Sequence, residues 1–163
     1  MHIHQAIELL EESTEFTSWK KEHADAYLVH SFKMFDEISK NIWQIGYFNP
    51  GSHLITVFVV GEEIHRNPDA QVFKEQEKLV NPLHVDLVKI NEEDAMTIAN
   101  DVLKENYRAQ VFKSFMILQN LEEHGQVWNV TFVTQQFKTI NVKIDANAGT
   151  VVVHKEISLI SKE

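Results

Sequence analysis

The pattern of apolar and polar positions along the chain changes period more than once. Near the N-terminus, apolar residues recur at helical spacing and predict a short helix that ends around Glu12: Ile3, Ala6, Ile7, Leu9 and Leu10. A second short helix, capped by Thr14, is predicted to follow directly. From Tyr27 to Phe35 apolar and polar residues alternate, which is typical of a β-strand.

A hairpin is predicted next. Two apolar runs, residues 42–48 and 53–60, flank Pro50 and Gly51. Proline fixes one backbone dihedral and glycine supplies a positive one, so this pair favours a tight turn. Residues 61–85 are interpreted as a connector, within which residues 70–80 fit either a short helix or an extended edge segment.

The second half repeats this order of elements. A short strand-like alternation in residues 83–90 precedes Asn91, Glu92, Glu93 and Asp94, which read as a helix cap followed by first-turn carboxylates. The predicted helix covers residues 92–106 and buries one stripe: Ala95, Ile98, Ala99, Val102 and Leu103. Four strands are predicted at 111–121, 126–134, 139–145 and 150–157, and the last three form an antiparallel meander.

The two halves align on their tryptophans. When Trp43 is aligned with Trp128, Ile45 aligns with Val130. At the same offset, apolar residues of the next strand also align: Ile55 with Ile140, Val57 with Val142, and Val59 with Ile144. In the preceding strands a shared Ser-Phe pair, at residues 31–32 and 114–115, aligns if the intervening loop carries one two-residue insertion or deletion. This self-similarity indicates an internal duplication.

The predicted fold class is α+β, built from two helix-plus-antiparallel-sheet repeats. Residues 1–163 are interpreted as a single domain, with one repeat at about 3–65, the other at about 86–160, and the connector at 61–85. The pattern leaves open whether the two sheets join or pack face to face. In either arrangement the exposed strand edges are potential pairing sites for another chain.

The second half resembles the PepSY domain family of bacterial and archaeal proteins and metalloprotease propeptides. The matching features are the acidic helix start at Asn91, the strand start at Trp128, and the closing hairpin with Asp145, Ala146 and Gly149. The resemblance implies a cystatin-like fold and a non-catalytic role, with protease inhibition or regulation of a peptidase as the family's usual proposal. It brings no catalytic, cofactor-binding or metal-binding residues.

Composition narrows the function classes. The 163 residues carry a formal net charge of -9 and no cysteine. Without a basic cluster, nucleic acid and anionic membranes are not expected partners, and without cysteine there are no disulfides or thiolate sites. The N-terminal residues lack the basic and apolar regions of a signal peptide. The expected location is therefore the cytoplasm, provided that no leader precedes Met1 in the native chain.

Candidate chemistry is sparse. The chain has nine histidines, but only His2 and His4 are close in sequence, so we predict no metal site and no cofactor. The carboxylate groups at 62–63, 92–94 and 122–123 are interpreted as solvated loops or a helix first turn. Most aromatic side chains are predicted to lie in the core: Phe16, Trp19, Phe32, Phe35, Trp43, Tyr47, Phe48, Phe115, Trp128 and Phe132.

Two functional hypotheses follow, and the binding residues are left unassigned in both. The first is a non-enzymatic PepSY-like interaction or regulatory module that binds a protein, a peptide or itself through a sheet edge or an open sheet face. The alternative is a small-molecule-binding or enzymatic cystatin-like domain with a pocket between helix and sheet. Convergence of His30, Tyr47 or Glu62 in one apolar pocket would favour the alternative.

Overall fold

The fold is described from a computed structural model that covers residues 1–71 and 80–158. Over these residues the chain forms three α-helices, nine strands and one short 3₁₀ turn, an α+β architecture. The helices are α1 (Ile3–Glu12), α2 (Thr14–Glu22) and α3 (Glu92–Asn106). The strands are β1 (Tyr27–Met34), β2 (Trp43–Asn49), β3 (Leu54–Val60), β4 (Ile64–Arg66), β5 (Ala70–Gln71), β6 (Val111–Leu121), β7 (Gly125–Thr134), β8 (Lys138–Asp145) and β9 (Val151–Ser158).

All nine strands belong to one antiparallel sheet. Its order is β4-β3-β2-β1-β6-β7-β8-β9, with β5 also pairing β3. We call β1 to β4 the first meander and β6 to β9 the second. They join because β1 pairs with β6, where Ser31 lies opposite Leu118 and Phe32 opposite Ile117. The alternative of two sheets packed face to face, which the sequence left open, is therefore not the arrangement found.

The helices cover one face of this sheet. α1 contacts β2 and β3, and α3 contacts β7 and β8. The core lies between these layers and is filled by large side chains that are fully or almost fully buried: Trp43, Trp128, Phe58, Phe132, Ile45, Met116, Leu118, Ile140 and Ile144. Such interdigitated burial is the main source of stability in a sheet with one covered face. We call the opposite side the helix-free face.

Local predictions in the first half are confirmed for the elements and corrected in two details. The cap of α2 is Ser13, whose Oγ accepts a hydrogen bond from the Phe16 N–H at 3.2 Å, and not Thr14. In the turn between β2 and β3 the residue with positive φ is His53, at 58°, and not Gly51. The His53 N–H donates to the Asn49 carbonyl at 2.8 Å, so the turn closes one residue later than the Pro-Gly pair suggested.

The connector and its surroundings differ more from expectation. It contains two short strands, β4 and β5, and the predicted alternation in residues 83–90 is instead a 3₁₀ turn at Val85–Leu87. Pro82 has no backbone N–H to donate, which disfavours a paired strand at that place. Of the predicted segment 70–80, residues 72–79 lie outside the described residues, as do Leu159 and Ile160 at the end of the predicted meander.

Strand register corrects the predicted correspondence between the halves. Ile45 lies between Ser31 and Phe58, whereas Val130 lies between Met116 and Val142. By register, the residue at the position of Ser31 is therefore Met116 and not Ser114. The residue at the position of Val142 is Phe58 and not Val57. The predicted partners Ile55 and Ile140 point to opposite faces, since a one-residue shift exchanges the two faces of a strand.

Candidate functional site

The helix-free face is the candidate functional site. The register places three parallel rows of side chains across it, and most of these side chains are only partly buried. The first row is Val59, Gln44, Phe32, Ile117, Asn129, Lys143 and Val153. The second is Val57, Gly46, His30, Gln119, Val127 and Asp145, and the third is Met34, Phe115, Thr131, Asn141 and Lys155.

These rows divide the face into two chemically different halves. The half on β3, β1 and β6 is largely apolar, and within it the rings of Phe32 and Phe115 pack with centroids 5.6 Å apart. The half on β7, β8 and β9 is polar. There Asn141 donates through its amide nitrogen to Asn129 Oδ1 and to Thr131 Oγ1, while Lys143 donates to Asn141 Oδ1 at 2.7 Å.

His30 lies flat over the backbone of the neighbouring strand. It is paired with Gly46, and a Cβ at that glycine would lie only 2.2 Å from His30 Cε1. Glycine is therefore required for the imidazole to pack against the sheet. Burial lowers the pKa of His30 below its usual 6.5, because desolvation disfavours the charged ring. The ring is neutral at pH 7.

On the covered side, the two tryptophans make matching contacts. Trp43 donates its indole N–H to the carbonyl of Met1 at 3.1 Å, and Trp128 donates to the carbonyl of Ile90 at 2.8 Å. Each acceptor directly precedes the residue that caps a helix, α1 or α3. The two rings lie 6.2 Å apart at the centre of the core. Each tryptophan thus fixes the start of one helix on the sheet.

A buried charged group lies beside this contact. Glu92, the first residue of α3, has 3% of its side chain exposed, and its Oε1 is 2.7 Å from His2 Nδ1. Its Oε2 is buried and has no hydrogen-bond partner among the described residues. Burial lowers the pKa of Lys33, while the Glu92 and Glu93 carboxylates oppose that shift. Lys33 donates to the Lys40 carbonyl and lies 4.7 Å from the centroid of Trp43.

Glu92 corrects the interpretation of residues 92–94 as a solvated first turn. Glu93 and Asp94 are exposed, as expected, but Glu92 points into the core. Its position relative to the helix cap is that of Ile3 in α1, which is also fully buried. Aligning the halves on their helix starts would have shown that the acid occupies a core position.

The three residues that would mark a pocket do not converge. His30 lies on the helix-free face, Tyr47 lies in the core with its ring 4.9 Å from that of Phe16, and Glu62 is exposed in the turn after β3. The space between helices and sheet at Tyr47 is occupied by an aromatic cluster with Trp19 and Phe58. The structure therefore gives no support at this place to the small-molecule alternative.

The N-terminal histidines bind protein groups. His4 Nε2 is 3.0 Å from the carbonyl of Val85, and His2 pairs with Glu92 as described above. Over residues 1–71 and 80–158, no group of three or more His, Cys, Asp or Glu side chains is placed to hold a metal ion.

Most of the aromatic residues predicted for the core lie there, with three exceptions. Phe32 and Phe115 are on the helix-free face and only partly buried. Phe48 is also on that face, opposite Ile55, although it is only 6% exposed, because its ring packs against Tyr27 with centroids 5.6 Å apart. The aromatic residues that strand alternation alone assigns to a core are thus distributed over both faces.

Two surface depressions lie on the outer side of the helices. One, of about 380 Å³, is lined by α2 and Arg66; the other follows α1 near Leu9. Both are open to solvent, and neither lies next to the rows of the helix-free face. None of the helices in the described part of the chain is long and apolar enough to cross a membrane.

Comparison with known proteins gives one structural neighbour. No family model matches the chain, and no curated protein does. A crystal structure described as a "putative lipoprotein" from Clostridium difficile 630 superposes with a TM-score of 0.56, covering 91% of this chain and 98% of that chain. The two sequences are 14% identical. At that identity the likeness shows a shared fold.

Proposed function

We propose that this chain is a non-catalytic interaction or regulatory module that contacts a protein partner through the helix-free face of its sheet. The observation that carries the proposal is the one-sided coverage of the sheet. All three helices of the described residues begin or pack on one side, while apolar side chains of β1, β3 and β6 remain partly exposed on the other. Apolar side chains left exposed on one side of a fold are a mark of interaction sites.

We further propose that the chain consists of two PepSY-like repeats of cystatin-like fold. The matching indole contacts of Trp43 and Trp128 with the helix starts support this, as does the equivalent placement of Ile45 and Val130 between their neighbouring strands. If the family's usual role applies, the partner is a peptidase whose activity the module modulates.

A face contact fits the structure better than an edge contact. The outer edge strand β9 carries His154, Lys155 and Glu156, and its pairing with β8 shifts register beside Lys143. Charged side chains and irregular register are features that discourage further strand pairing. Self-association through this edge would give a dimer in size-exclusion chromatography with light scattering, and we expect a monomer.

No specific observation favours the alternative of a small-molecule-binding or enzymatic domain. Its expected pocket residues are dispersed, and the layer between helices and sheet is filled with buried side chains. We therefore propose no reaction and no cofactor.

The test is site-specific photo-crosslinking in cells that produce the native chain. A photoreactive phenylalanine at Gln44 or Asn129, on the helix-free face, should capture a partner. The same residue at Thr97, on the outer surface of α3, is the matched control. Equal capture from both faces, or none from the helix-free face, would refute the proposal. If the partner is a peptidase, its hydrolysis rate with and without the purified chain tests the regulatory role.

Location is tested separately. The sequence predicts the cytoplasm, whereas a protein such as the structural neighbour, if it is a lipoprotein as described, would be held at a membrane. Fractionation of cells that express the full native gene distinguishes the two locations, and the interaction proposal holds for either.

A further inference from the structure

Three large apolar side chains are exposed at one end of the second meander. Phe112 is 66% exposed, Phe137 65% and Ile157 45%. The register brings their strand ends together, since Lys113 pairs with Val133, Val133 with Thr139, and Thr139 with Ile157. β6 and β9 are three strand spacings apart, roughly 14 Å. Phenylalanine is enriched at protein interfaces relative to the rest of the surface, so two exposed phenylalanines beside an exposed isoleucine indicate a binding surface.

Phe137 is also held in an unfavourable backbone conformation. Its φ is 57°, and its N–H donates to the Thr134 carbonyl at 3.2 Å, which describes a tight turn followed by a left-handed residue. Glycine is the usual residue at that position, and in the other two turns of this meander the residue with positive φ is a glycine, Gly125 or Gly149. A bulky residue with positive φ is a strained exception. Neither the backbone nor the core benefits from a phenylalanine at this position.

The neighbouring helix-free surface is positively charged, although the chain as a whole is acidic. Three lysines lie on that face, each opposite a residue of the neighbouring strand: Lys113 opposite Val133, Lys143 opposite Asn129, and Lys155 opposite Asn141. The one acid in the same rows, Asp145, already accepts hydrogen bonds from two backbone N–H groups of its own turn. Burial, and secondarily the nearby Lys155, lowers the pKa of Lys143, while the Glu123 carboxylate opposes that shift. We call these residues together the Phe-Lys patch: Phe112, Lys113, Phe137, Lys143, Lys155 and Ile157.

The geometry restricts the form of a partner. Within a sheet face the backbone groups are paired, so only side chains are offered to a ligand. An extended peptide lying there would leave its own N–H and C=O groups unpaired, whereas a helix satisfies its backbone internally. A second copy of this chain does not supply such a helix. Among the exposed large apolar side chains of the described residues, only Leu9 lies in an α-helix, whereas the surface offers three apolar anchors.

We propose that the Phe-Lys patch binds an amphipathic helix of a partner protein, with an apolar stripe on Phe112, Phe137 and Ile157 and Asp or Glu side chains beside the lysines. This inference rests on the proposed interaction function and specifies its partner chemistry. Complementary charge of this kind mainly sets specificity and the rate of association.

The experiment is selection from a displayed library of helix-forming 18-residue peptides with randomised surface positions, using the full purified chain as bait. We expect enrichment of sequences with apolar residues at i, i+3, i+4 and i+7 flanked by acids. The best peptide should lose about tenfold or more in affinity against the Lys113→Glu/Lys155→Glu variant, since two attractive charge pairs become repulsive. Lys104→Glu, on exposed α3, is the matched control and should bind as the wild type does.

Phe137→Asn separates binding from folding. Asparagine tolerates the left-handed conformation, so the thermal unfolding midpoint should stay equal or rise by roughly 1–3 °C, while peptide affinity falls at least fivefold. A purely structural phenylalanine would lower both. Enrichment of basic or uncharged peptides, binding unaffected by the lysine reversals, or no enrichment would overturn the inference. Crosslinking from Gln44 or Asn129 tests the proposed function independently of these results.

Discussion

The two meanders of the sheet begin alike and end differently. In each, a buried tryptophan fixes the start of a helix, but within residues 1–71 and 80–158 two helices cover the first meander and only α3 covers the second. α2 completes an aromatic cluster over β2 and β3, whereas β9 lies beyond α3 and every residue except Val153 is exposed. Alternation in the strands is similar in both meanders. The difference shows that helix coverage, rather than strand pattern, decides which strands are buried.

The largest expected effect is loss of either tryptophan. Trp43→Ala and Trp128→Ala should each lower the free energy of unfolding by about 3–5 kcal/mol, because each leaves a large cavity and an unpaired helix start. The loss should be greater for Trp43, since its removal also deprives Lys33 of the ring it faces. Urea denaturation measures both. A loss below about 1 kcal/mol in one variant would show that the two tryptophans are not structurally equivalent.

The next effect concerns the helix-free face of the first meander. Gly46→Ala should cost about 1–3 kcal/mol, because the added methyl group overlaps His30. In a His30→Ala background the same substitution should cost less than about 1 kcal/mol, and the double-mutant cycle isolates the contact. Gly61→Ala is the control, since its nearest neighbour would be 3.4 Å away. An equal cost in both backgrounds would contradict the proposed clash.

The pH dependence of stability tests the same histidine. The pKa of His30 is lowered by burial from 6.5 in the folded chain, so the unfolded chain binds the proton first as the pH falls. The contribution of the neutral His30 ring to the free energy of unfolding is present above about pH 6.5. It is lost below that pH, at no more than about 1.4 kcal/mol per pH unit. Between pH 7.5 and 5.5 the wild type should therefore lose more stability than His30→Gln. Identical losses in urea midpoints would disprove the burial of a neutral ring.

The smallest expected effect is that of a substitution that makes the start of α3 resemble the start of α1. Glu92→Ile places at α3 the residue that α1 has at the matched position, Ile3. Replacing a buried carboxyl group by a well-packed apolar side chain is often neutral or stabilising, so we expect a change within about 1 kcal/mol. His2→Ala should destabilise more, because it leaves the buried carboxylate without its partner. A larger loss for Glu92→Ile than for His2→Ala would show that the acid contributes to the fold.

Much of the fold could be predicted from sequence. α3 has the predicted bounds, the four strands of the second meander agree within one residue at their described ends, and the α+β class is correct. Local pattern sufficed there because caps, turns and alternation all favour the same elements. Prediction was wrong where local signals are weak or ambiguous, at residues 83–90, at the Thr14 cap and at the positive φ assigned to Gly51.

An open sheet face was one of the predicted binding surfaces, but the residues that form it were not predicted, for a physical reason. Alternation shows that a strand has two faces but not which face a distant helix will cover. Phe32 and Phe115 thus read as core residues, while Phe112 and Phe137 gave no signal at all. The strained turn at Phe137 could have been suspected from its spacing after Thr134, had the turn type been known.

The sequence by itself determined the local elements, the acidic charge and the alternating strands, because these depend on neighbours within a few residues. Tertiary structure alone decided that β1 pairs with β6, that Glu92 is buried against His2, and that His30 lies on Gly46. Among the described residues, it also placed all three helices on the same face of the sheet. Each of these depends on contacts between residues far apart in the chain, and the free energy of such contacts arises only when the layers pack.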